Sequence, residues 1–170
     1  AFAPLVSCHE SAGDMRRRLL AHDARTLPDD AAQLVQLQHP LAALATLSLH
    51  DVPQRENALA DFYNRYAGDA LVVDKWFSLQ ATIPHRDTLS HVRALTTHPA
   101  FSLANPNRVR SLIGAFARGN TTQFNRPDGG GYEFIADTVL ALDQKNPQVS
   151  ARLATAFRNW RTMEHGRQTK

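Results

Sequence analysis

The sequence holds a single cysteine, Cys8, in 170 residues. That excludes a disulfide framework and the multi-thiolate clusters of structural zinc sites. Long apolar runs are missing too: nothing approaches the roughly 20 residues a membrane-spanning helix needs, so no membrane partner is expected. Residues Ala1 to Cys8 have neither the length nor the charged flank of a signal peptide. These absences suit a reducing compartment, and a cytoplasmic localisation is expected. Blocks of one charge sign are also absent. Lys and Arg total 19 against 16 Asp and Glu, a net +3, and the arginines are scattered. A nucleic-acid-binding solenoid would carry a basic stripe with interleaved aromatics, so nucleic acid is not an expected partner.

The catalytic motifs are missing as well. A zinc hydrolase needs H-E-x-x-H on a helix, so that two imidazoles one turn apart face one metal. Here His9-Glu10 is followed by Ser11, Ala12 and Gly13, and Glu164-His165 runs in the wrong order. There is no G-x-S-x-G elbow, no phosphate-binding P-loop and no G-x-G-x-x-G fingerprint. Gly129-Gly130-Gly131 has no preceding strand and no following Lys, and reads as a flexible loop. His85, His91 and His98 could make a metal site only by converging with a carboxylate such as Asp87; surface or capping histidines are the simpler reading. No catalytic residue, metal ligand or cofactor is therefore assigned to this chain.

What is present is helix. Asp51 as a cap and Pro53 in the first turn open a segment to Tyr66, with Ala58, Leu59, Phe62, Tyr63 and Tyr66 on one stripe and Gly68 as the stop. Asp69 caps a second helix through Leu71, Val72, Trp76, Phe77 and Leu79, making a helical hairpin. Ile83-Pro84 breaks the chain; Asp87 caps a third helix with Leu89, Val92 and Leu95 inward. Asn105-Pro106 opens another, through Val109, Leu112, Ile113 and Phe116 to Gly119. Asn120 to Gly131 reads as a polar, mobile loop. Tyr132 to Leu142 forms a further helix, and Asn146-Pro147 opens the last, through Val149, Leu153, Phe157 and Trp160. Nearer the start, Met15 to Leu20 and Ala31 to Leu37 look helical around Leu27-Pro28-Asp29. No useful strand alternation appears.

Asn105-Pro106 and Asn146-Pro147 stand 41 residues apart, and at that offset Leu112, Ala115 and Phe116 match Leu153, Ala156 and Phe157. Helix pairs repeating near 40 residues mark HEAT- or armadillo-like arrays, in which each pair buries its apolar face only against its neighbours. The expected fold is all-α: an irregular helical-repeat superhelix of antiparallel helix pairs. Arg108 and Arg110 lie in the first turns of one repeat helix and Arg152 in its counterpart. Were the two helices stacked in parallel, Arg110 and Arg152 would share a rim suited to a carboxylate or peptide carbonyl. Solvated arginines are the bland alternative.

From Leu41 to about Arg161 the sequence carries a more specific pattern. Ala58-Leu59-Ala60-Asp61-Phe62-Tyr63, Leu71-Val72-Val73-Asp74-Lys75-Trp76-Phe77 and Asn105-Pro106-Asn107-Arg108-Val109-Arg110-Ser111-Leu112-Ile113-Gly114-Ala115-Phe116 come in order. Asp128-Gly129-Gly130-Gly131-Tyr132 and Asn146-Pro147-Gln148-Val149-Ser150-Ala151-Arg152-Leu153 come after them. These blocks resemble the C-terminal domain of the bacterial aminopeptidase N family, zinc-dependent alanyl aminopeptidases of the gluzincin group. The expected division is an N-terminal helical segment, 1–40, and a truncated C-terminal helical-repeat domain, 41–170. The missing initiator Met and the stop at Lys170 within a helical pattern predict a piece of a longer chain.

The resemblance implies a cytoplasmic metallopeptidase parent that removes N-terminal residues from peptides. Its zinc and general base would lie in a separate catalytic domain. This module would be non-catalytic, would cap that domain and would line or gate its substrate cavity. Its partners would be the catalytic domain of the same polypeptide and peptide substrates. Arg110 and Arg152 fall on family arginines expected to face the chamber, and Arg108 and Asn107 join them as candidate cavity residues. The competing reading is an independent helical-repeat scaffold that binds a protein or peptide on its concave face.

Overall fold

The computed structural model describes residues 40–169. The helices expected over Met15 to Leu20 and Ala31 to Leu37, and Cys8, lie outside the described residues. Described positions from Leu44 onward belong to one compact unit, Leu44–Lys170. Among the described residues every regular element is helical, so the fold is all-α, as the periodicity predicts.

Residues 40–48 form α1. Then come α2 (Gln54–Tyr66), α3 (Ala70–Ala81) and α4 (Thr88–Leu95). Next is a single helical rod in three parts: α5 (Pro106–Val109), a π-helical turn (Arg110–Gly114) and α6 (Ala115–Gly119). The chain continues through α7 (Thr121–Phe124), α8 (Gly130–Asp143), α9 (Pro147–Ala154), a 3-10 stretch (Thr155–Thr162) and α10 (His165–Gln168).

Side-chain caps set several of these starts. The Asp69 carboxylate accepts from the Leu71 and Val72 amides at 2.9 and 3.2 Å, satisfying donors that the first turn of α3 leaves free. Asn105 and Asn146 do the same for α5 and α9, each with proline next in the first turn. Two expected caps are corrected. Asp51 does not cap α2: Pro53 stands at that position, and the Asp51 carboxylate is drawn to Arg55 at 3.2 Å and His85 at 3.4 Å. Asp87 precedes α4 but makes no capping bond, because its carboxylate turns toward His85 and Arg86.

The core forms where α3 meets the rod. Phe77, Val92, Leu112, Phe116, Ile135 and Leu142 have no exposed surface. Each such side chain contributes about 1.5–3 kcal/mol by leaving water. Trp76 packs on Tyr63 and Phe77, and its indole N–H donates to the Leu59 carbonyl at 2.9 Å, closing the α2–α3 hairpin. Phe116 meets Phe134 edge-on, which brings α8 against the rod, while Ser150 ties α9 to α8 through the Val139 carbonyl. Thus α8 touches both members of the repeat, the rod and α9.

The reading of Asn120 to Gly131 as a mobile loop is overturned. Asn120 is buried and its side-chain oxygen caps α7. Its amide nitrogen donates to the Ala81 and Ile83 carbonyls at 3.2 and 2.8 Å, closing the end of α3. Gly129 then takes a left-handed turn (φ 80°), and α8 starts at Gly130 rather than Tyr132. Gly131 lies so close to the Phe124 carbonyl that a Cβ would sit 2.3 Å from its oxygen. The glycines serve close packing, not mobility. Trp160 is corrected too: helical spacing puts it on an inner stripe, but the chain tightens to a 3-10 helix at Thr155 and leaves it half exposed beyond Phe157.

Candidate functional site

The candidate residues gather at the head of the rod. Asn105 and Pro106 start α5, which places Asn107, Arg108 and Arg110 in its first turns. Their fates differ. Arg108 points inward: Nη1 donates to the Asp74 carboxylate and to the Ala70 carbonyl at 2.9 Å, and Nε donates to the Ala100 carbonyl at 3.0 Å. Its guanidinium also lies over the Phe77 ring. Pairing and hydrogen bonding together offset the cost of burying this charge. Arg108 therefore braces α3, α5 and the 100-segment from within.

Arg110 goes outward. In the run 108–114 every residue but Arg110 is buried. Its Nη1 donates to the Asn107 side-chain oxygen at 3.3 Å, so the two side chains form one polar pair. Arg152 is exposed in the second turn of α9, and its guanidinium has no hydrogen bond or ion pair among the described residues. The main packing partner of α9 is α8 rather than the rod.

The residues that fix this geometry do not stand out in the sequence. Asp74 holds Arg108 and also accepts from the Ser111 hydroxyl at 3.0 Å. The Ser78 hydroxyl lies 2.8 Å from the Ser111 carbonyl, across from α3 to the π turn. One signal exists: a lone carboxylate inside the apolar run Leu71 to Phe77 calls for a partner.

The three histidines have separate settings. His85 lies between Asp51 and Asp87. His91 shares a 2.8 Å hydrogen bond with Gln80, and burial pushes its pKa down; Glu56 opposes that shift and Arg55 adds to it. His98 packs among Tyr63, Trp76 and Phe77, where burial lowers its pKa as well. Among the described residues no three His, Cys, Asp or Glu side chains come together as a metal would require. His85, His91 and His98 therefore do not converge as a zinc site requires. Two open clefts flank α8. One of about 660 Å³ is lined by Tyr132, Phe157, Trp160, Asp137 and Arg167 among others. The other, about 520 Å³, lies beside Arg93, Phe101 and Phe134.

Residues 18–170 match the model of a family described as a domain of unknown function (DUF3458_C) with ARM repeats. The chain belongs to this family. The DUF3458_C match begins ahead of Leu41, where the recognisable motifs start. The chain is 42% identical over 129 residues to aminopeptidase N of Haemophilus influenzae, covering 76% of this chain and 15% of that protein. It is 41% identical over 146 residues to aminopeptidase N of Caulobacter vibrioides, covering 85% of this chain and 16% of that protein. With aminopeptidase N of Escherichia coli K12 the identity is 40% over 130 residues, or 76% of this chain and 15% of that one. Among solved structures it resembles Legionella pneumophila aminopeptidase A, crystallised with aspartic acid. That match has a TM-score of 0.73 and 31% identity, over 80% of this chain and 17% of the other. The chain thus spans about 15–16% of the length of the curated relatives it matches. This DUF3458_C chain is a helical module of the aminopeptidase N-like kind.

Proposed function

We propose that this chain is the non-catalytic helical module of a zinc-dependent, cytoplasmic aminopeptidase that removes N-terminal residues from peptides. In this reading it caps the catalytic domain of the same polypeptide and lines or gates the substrate cavity. The observation that carries it is the similarity to aminopeptidase N over 76–85% of the chain. The Legionella relative was crystallised with an amino acid, which supports a peptide-related ligand class. Arg110, with Asn107 beside it, and Arg152 hold carboxylates or carbonyls of the peptide. Arg108 contributes from inside, as the brace that fixes Arg110's helix. Charge-assisted hydrogen bonds suit this role because a fork of N–H donors matches a carboxylate.

The test compares the purified chain with the complete polypeptide on an alanyl fluorogenic substrate, with zinc measured in both. No turnover and no stoichiometric zinc is expected for the chain alone, and both are expected for the complete polypeptide. Zinc-dependent turnover by the chain alone would overturn the reading.

A further inference from the structure

We infer that the π turn Arg110–Gly114 is a positioning device for Arg110, and that Ser78 on α3 is the residue that holds it. The inference rests on the proposed role of Arg110 in meeting the peptide. In an α-helix the Ser111 carbonyl would accept from the Ala115 amide four residues on. Here the Ala115 amide goes to the Leu112 carbonyl instead. The Ser111 carbonyl is taken by the Ser78 hydroxyl at 2.8 Å. That hydroxyl has one proton, and its other neighbour, the Asp74 carbonyl on its own helix, is farther at 3.0 Å. Asp74 also receives the Ser111 hydroxyl. Helix α3 therefore grips both the backbone and the side chain of one residue in the turn.

A π turn rotates the helix on its N-terminal side against the helix on its C-terminal side by about one residue, roughly 100°. The C-terminal side is anchored by Phe116, which is fully buried against Phe134. The N-terminal side is anchored by Arg108, locked to Asp74, Ala70 and Ala100. Neither anchor can turn. With both ends held the π turn cannot vanish, but once released from Ser78 it can shift along the rod, and the change of direction then falls on the residues between the anchors. Arg110 is the one exposed residue in the run 108–114. Its guanidinium would then swing away from Asn107 and from whatever the pair binds.

The experiment uses the complete polypeptide with wild-type, R110A, S78A and S78A/R110A forms, reading KM, kcat and melting temperature on a short peptide amide. R110A is expected to raise KM about tenfold, the size of one charge-assisted hydrogen bond. S78A is expected to raise KM about threefold or more with kcat within about twofold, and the double variant should match R110A. A purely structural serine would lower the melting temperature and leave KM unchanged, or would add its effect independently to that of R110A. Either result overturns the inference while leaving the role of Arg110 intact. An R110A enzyme with wild-type KM would overturn that role and the inference together. Should S78A not fold, S78C, similar in size and a weak donor, is read by the same criteria.

Discussion

The Asp74–Arg108 pair and Gly131 are the positions where one side chain, or its absence, carries most consequence. Arg108→Ala would leave half-buried Asp74 with only the Ser111 hydroxyl and take a donor from two carbonyls, at a cost of about 3 kcal/mol. Urea denaturation of the variant should show that loss, and Arg108→Lys should recover little of it because a single ammonium cannot reach three acceptors. The glycines offer a sharper contrast. At Gly131 a methyl would press on two backbone carbonyls, at 2.3 and 2.5 Å, whereas at Gly68 it would meet nothing within 4 Å. Gly131→Ala should therefore destabilise by about 2 kcal/mol or more. Gly68→Ala should be neutral or stabilising by about 0.5 kcal/mol, since it restrains only the unfolded chain. Melting curves of both decide the point.

Among the elements, α3 and α4 carry a pH dependence. His91 is half-buried against Gln80, and that burial holds its pKa below that of the same residue in the unfolded chain. As pH falls through about 6.5 the unfolded chain takes up the proton first, so stability is full above that value and declines below it. His98, lowered by burial in the aromatic cluster, acts in the same direction. The urea midpoint should drop between about pH 7.5 and 5.5, a window that brackets the ordinary histidine pKa, and His91→Gln should flatten part of the slope. A midpoint that rose on acidification would contradict this account. Element starts at Asp69, Asn105 and Asn146 are legible because capping is a local matter of one side chain and the next few amides. Asp51 and Asp87 mislead because other side chains compete for their carboxylates, Arg55 and His85 for Asp51 and the neighbouring His85 and Arg86 for Asp87. The π turn leaves no local signature, since the hydroxyl that sustains it sits 33 residues away. The short helix α7 is hidden by its polar, glycine-flanked composition, which suggests a loop until Asn120 is seen buried.

For the molecule as a whole, stability should be graded along the array. The rod and α3 meet in the core, and Phe77 is fully buried there, so Phe77→Ala should cost about 3–5 kcal/mol and unfold the unit cooperatively. Leu153 is buried on α9, whose neighbours are α8 and the 3-10 stretch. Leu153→Ala should act locally, seen as faster amide exchange from α9 through α10 with slower change elsewhere. The all-α class and the repeat of paired helices are readable from the sequence because stripe spacing and Asn-Pro starts survive without knowledge of neighbours. Of the candidate residues, Arg110 and Arg152 are exposed, whereas the inward turn of Arg108 is not readable because it depends on Asp74, which no spacing rule connects to it. Asn120 adds something on another axis. Asn105 and Asn146 cap with their side-chain oxygen, a task that Asp, Ser or Thr can take over. Asn120 must accept on one side and donate to two carbonyls on the other, and a carboxylate there would face those carbonyls with like charge. Over evolutionary drift the first two positions are free to wander among the polar capping residues, while position 120 has a single chemical solution.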